Sequence, residues 1–69
     1  MDEIEKLERL LHHWKEHNDE HADGFRHWSA KARSLGRTDV SAVLDRLEEE
    51  TRRLNRLFDE ALEKLRAGT

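Results

Sequence analysis

The sequence predicts an all-α fold, an antiparallel two-helix hairpin that dimerises into a four-helix bundle. Three observations lead there. Apolar residues recur in steps of three and four along two long segments, separated by a short break at Gly36. Pro is absent, and no stretch alternates with the period of a strand. At 69 residues there is room for one domain, near the lower size at which a core folds without a disulfide, a metal or a partner chain.

The first ladder is Ile4, Leu7, Leu11, Trp14, Asn18, His21, Phe25, Trp28, Ala32 and Leu35, the heptad spacing of a helix seam. Ile4, Leu11, Asn18, Phe25 and Ala32 take position a; Leu7, Trp14, His21, Trp28 and Leu35 take position d. Asn18 and His21 are its only polar members and lie at its middle. Gly24 falls inside this helix, marking either close approach by another helix or a weak point.

Gly36 suits a left-handed C-cap, and Thr38 or Asp39 is placed to cap the next helix. The second ladder is Val40, Leu44, Leu47, Thr51, Leu54, Phe58, Ala61 and Leu65, and Ala67-Gly68-Thr69 ends it. The expected elements are a helix over about 2–35, a turn over about 36–39 and a helix over about 39–67, in one domain spanning 1–69. A turn this short folds the helices back antiparallel. The two ladders then register with Trp28 opposite Leu47, Asn18 opposite Phe58 and Trp14 opposite Ala61, so that Trp14, Phe25, Trp28 and Phe58 are the expected core anchors. Leu10, Val43, Leu57 and Leu62 remain on the shoulders of this seam, which favours a homodimer.

Composition narrows the function classes. With no Cys there is no disulfide, thiolate metal site or thiol nucleophile. No apolar run approaches the ~20 residues that span a bilayer, and the Met1-Asp2-Glu3 start is acidic, so a soluble cytoplasmic protein without membrane association is expected. Charged residues make up 42% of the chain, for a net charge of −3. Residues 1–24 carry −5, residues 25–38 carry +4 and residues 39–69 carry −2. The lack of a basic face argues against nucleic-acid binding, and Arg26 to Arg37 complements the negative end of the first helix dipole.

The chemistry lies in the histidines. His13, His17 and His21 are spaced by four and project along one side of the first helix. An i, i+4 imidazole pair holds a divalent transition metal when another helix or chain supplies the remaining ligands. His17 and His21 are the expected primary ligands and His13 a supplementary one; Glu50, on the second helix near the level of Gly24, is the expected carboxylate ligand. Asn18 and Thr51 would orient the ligands. A second reading is equally open from the residues: His21 beside Asn18 and Thr51 forms a buried hydrogen-bonded layer that fixes register in a structural or protein-interaction module. His12, His13 and His27 then belong to the solvated surface.

Catalysis finds no support. A zincin requires Glu directly after its first His, where Asn18 follows His17. Di-iron bundles use Glu-x-x-His, and here Asn18 stands in the Glu position before His21. Ser29, Ser34 and Ser41 have no base at a defined spacing.

The segment His13-Trp14-x-x-His17-Asn18-x-x-His21-Ala22-x-x-Phe25-x-x-Trp28 resembles a small family of helical-hairpin domains from archaea and anaerobic bacteria, associated with cobalt or nickel handling. The resemblance implies His17 and His21, with Asn18 and His13, as functional positions. The expected function is non-catalytic binding of a divalent metal (nickel, cobalt, zinc or copper) by a carrier, sensor or accessory module.

Overall fold

A computed structural model describes residues 2–68; Met1 and Thr69, including the last residue of the expected terminating segment, lie outside the described residues. Two helices, α1 (Glu3–Ser34) and α2 (Thr38–Ala67), pack against each other as an antiparallel hairpin. The Cα trace forms a slab of 52 × 18 × 9 Å, one helix thick.

Local chemistry sets the ends. The Asp2 carboxylate accepts from the Ile4 N–H at 2.9 Å, satisfying one of the free donors of the first turn. Lys31 and Arg33 sit in the last turn of α1, where positive charge complements the helix dipole. The turn is a Schellman arrangement: Arg37 N–H donates to the Ala32 carbonyl at 2.8 Å and Gly36 N–H to that of Arg33 at 3.1 Å. Gly36 supports it with φ +81°, the left-handed conformation expected of it. Arg37 is the residue before α2 and makes no side-chain cap. Asp39 instead accepts from the Val40 N–H at 2.8 Å and pairs with Arg37, which together hold its carboxyl below the usual carboxylate range, the Arg37 contact being the larger cause.

The helices face each other through a seam rotated from the expected one. On α2 the side chains that pair with α1 or are buried against it include Ser41, Asp45, Arg52, Asn55, Asp59, Leu62 and Arg66. Each lies one position after a member of the apolar ladder. On α1 the seam runs through Leu11, Lys15, Asn18, Ala22, Ser29 and Arg33, so positions 15, 22 and 29 replace 14, 21 and 28. The axial register is close to expectation: Asn18, placed opposite Phe58, bonds Asn55 one turn away.

Trp14 and Trp28 are therefore not core anchors of the hairpin; they are 43% and 57% exposed. Phe25 and Phe58 are half-buried. The reason is steric. Ala22, Ser29 and Ser41 are buried at the contact, and small side chains let two helices approach where indole rings would hold them apart. The only buried apolar residues among those described are Leu11, Ala22 and Leu62.

Polar contacts supply the rest of the seam. The Ser29 hydroxyl donates to Asp45 and accepts from Ser41 at 2.8 Å, and Arg33 binds the other Asp45 oxygen at 3.1 Å. Arg52 bridges Glu48 and Asp23, both at 2.9 Å; these carboxylates, Asp23 first, raise its pKa further. Lys15 pairs with Asp59 at 2.6 Å, which raises the ammonium pKa. Such pairs are exposed and solvent-screened, so they select register more than they provide stability.

The displaced apolar ladders lie together. Positions 14, 21 and 28 precede the α1 seam by one residue, and positions 40, 47 and 54 precede the α2 seam by one residue. One residue is a rotation of about 100° in the same sense about each helix. Because the helices are antiparallel, that rotation brings both stripes to the same broad side of the slab. Leu7, Trp14, Trp28, Val40, Leu47 and Leu54 are all exposed there.

Candidate functional site

α1 is helical without interruption from Glu3 to Ser34, which carries the histidine spacing directly into space. The His13 and His17 ring centroids are 6.2 Å apart, and those of His17 and His21 are 4.6 Å apart. Phe25 continues the row, 6.4 Å from His21 and nearly parallel to it. All three imidazoles are exposed. A shallow depression is lined by His13, Glu16, His17 and Glu20, so carboxylates of the same helix flank the row.

His17 and His21 are close enough to turn toward one common ion. Imidazole nitrogens suit nickel, cobalt, zinc and copper. A tetrahedral centre needs four ligands, and no group of three or more His, Asp or Glu among the described residues is arranged to hold an ion. His17 and His21 alone are two of those four.

The other expected site residues lie apart. Glu50 is exposed on α2 and pairs with Arg53 at 3.3 Å; it neighbours Val43, Arg46 and Leu47 rather than the histidines. The rotation of α2 turns Glu50 toward its outer edge, away from α1. Asn18 does not orient an imidazole: its amide donates to the Thr51 carbonyl at 2.6 Å and to Asn55 Oδ1 at 2.8 Å. Thr51 contributes that carbonyl. His12 lies 3.5 Å from Arg66 at the open end. His27 meets Trp28 edge-on at 5.7 Å, and Lys31 stands 5.3 Å over the same indole. A depression at the open end is lined by His12 together with Lys15, Asp59 and Arg66, the last three already engaged in ion pairs.

Polar layers cross the seam as expected, but not with the expected members. One comprises Asn18, Asn55, Asp19 and the Thr51 carbonyl; the other comprises Ser29, Ser41 and Asp45. His21 belongs to neither. Asn55 and Asp45 do carry a signal in the sequence, because they fall one residue after ladder positions Leu54 and Leu44 and so share the rotated face with Ser41.

Fold and histidine row together define a helical-hairpin domain with an exposed row of imidazoles. The chain belongs to the family described as Domain of unknown function (DUF8180), whose model matches residues 7–65, a span that includes every histidine and most of both helices. No curated protein and no solved structure matches it.

Proposed function

We propose that this domain binds a divalent transition metal through His17 and His21, as a non-catalytic carrier, sensor or accessory module of the cytoplasm. The observation that carries the reading is the 4.6 Å separation of the two rings on one exposed helical face. His13 and the carboxylates of Glu16 and Glu20 stand within a turn and extend the donor set. Nickel, cobalt, zinc and copper all suit imidazole, with copper the tightest by intrinsic affinity. Glu50 is not part of the proposed first set, since it is engaged with Arg53.

The exposed apolar face favours a second property: the hairpin works as a homodimer, two slabs closing into an antiparallel four-helix bundle. A purely structural or protein-interaction role shares this face and makes no use of metal. Calorimetry of the untagged chain separates the two. Nickel, cobalt or zinc is expected to bind more tightly than about 0.1 mM, the order of weak sites. His17→Ala and His21→Ala should each abolish that binding, and His27→Ala should leave it. A wild-type chain that binds none of these metals leaves the interaction module as the function.

A further inference from the structure

The accessible surface of the chain is 5532 Å², against about 4500 Å² for a compact monomer of its mass. The excess of about 1000 Å² matches the ~800 Å² that each partner loses in a standard interface. The exposed stripe of α1 shows which partner fits. Leu7, Trp14, His21, Trp28 and Leu35 follow at seven-residue intervals, and their order is the same read in either direction. In an isologous contact residue i meets j while j meets i, so a palindromic stripe meeting its own copy antiparallel brings like side chains to matching levels. Leu7 then meets Leu35 of the second copy, Trp14 meets Trp28, and His21 meets His21.

From this palindrome and the matching area we infer that two copies pack through their apolar faces about a two-fold axis at His21, and that the axis joins their histidines into one shared metal site. On α2, Val43 with Leu57 and Leu47 with Leu54 flank a level within one helical turn of the same axis, given the Asp23–Arg52 ion pair that ties the helices together. The site rests on the metal-binding reading above. His21 of both copies lies at the axis with His17 one turn away, so the set that one chain leaves incomplete is completed by the second copy.

The chain has no native Cys, which makes introduced thiols unambiguous reporters. His21→Cys should oxidise to a covalent dimer, because disulfides form only when Cα atoms come within about 7 Å. Leu7→Cys and Leu35→Cys should cross-link weakly alone and about tenfold more when mixed; Trp14→Cys mixed with Trp28→Cys provides a second pair should the first fail to fold. Wild type should take up about one nickel per two chains. Failure of His21→Cys to cross-link, with cross-linking instead in a mixture of His21→Cys and Leu54→Cys, overturns the axis. Uptake of one nickel per chain overturns the shared site and leaves the metal-binding reading standing. Cross-linking without any metal uptake overturns that reading and the shared site with it.

Discussion

At the scale of single residues, His21 occupies the pivotal position. As a d residue it reads naturally as buried between the helices, yet it is exposed on the broad face, between Trp14 and Trp28. A polar ring at the centre of an apolar stripe weakens any contact made through that stripe, unless the ring itself is used. His21→Leu should therefore tighten self-association and raise the midpoint of thermal unfolding, while removing the response to nickel. A lowered midpoint would mean that His21 has a packing role. Asn18 behaves differently, because its amide is bonded to α2 at two points. Asn18→Ala should cost about 1–3 kcal/mol in chemical denaturation by leaving the Thr51 carbonyl and Asn55 short of partners. These roles differ although the residues are three apart in sequence, since a rotation of one helical position decides which of them faces the other helix.

At the scale of elements, the two helices, the Gly36 turn and the antiparallel arrangement were legible in the sequence, because periodicity and a left-handed glycine position are local signals. The rotation of each helix was not. An apolar ladder such as Trp14, Trp28, Leu47 and Leu54 identifies the side of a helix that avoids water, but not the neighbour that covers it. Assigning that side to the intrachain seam hid the role of Ala22, Ser29 and Ser41, whose small size is what the close contact needs. The spacing of His13, His17 and His21 was legible for the same local reason, whereas the position of Glu50 depended on the rotation and was misplaced. Gly24 marks no close approach within the hairpin: a Cβ built there meets nothing within 4 Å. Gly24→Ala should thus stabilise the helix by about 0.5–1 kcal/mol, measured by urea denaturation; destabilisation would show that another surface packs against it. The start of α2 carries a pH dependence. Asp39 has a lowered pKa in the folded chain, so its contribution is present above the unfolded value of about 3.9 and is lost as pH falls through the folded value. Asp39→Asn should flatten stability across that acid range and leave its slope near neutrality unchanged.

At the scale of the whole molecule, a slab one helix thick leaves Leu7, Trp14, Trp28, Val40, Leu47 and Leu54 in water on one broad side. Its folding is then expected to be coupled to association, with an unfolding midpoint that rises with protein concentration. Leu54→Glu, at the centre of the face, should lower the midpoint and the sedimentation coefficient together; a concentration-independent midpoint in wild type would indicate a self-sufficient monomer. Under the proposed shared site, an ion held by imidazoles from two copies would stabilise the pair that holds it. Elemental analysis tests this most directly. The untagged chain, saturated with nickel and freed of excess by gel filtration, should retain about one nickel per two chains, and the His17→Ala, His21→Ala double variant should retain none. A wild-type chain that emerges free of metal would contradict the account.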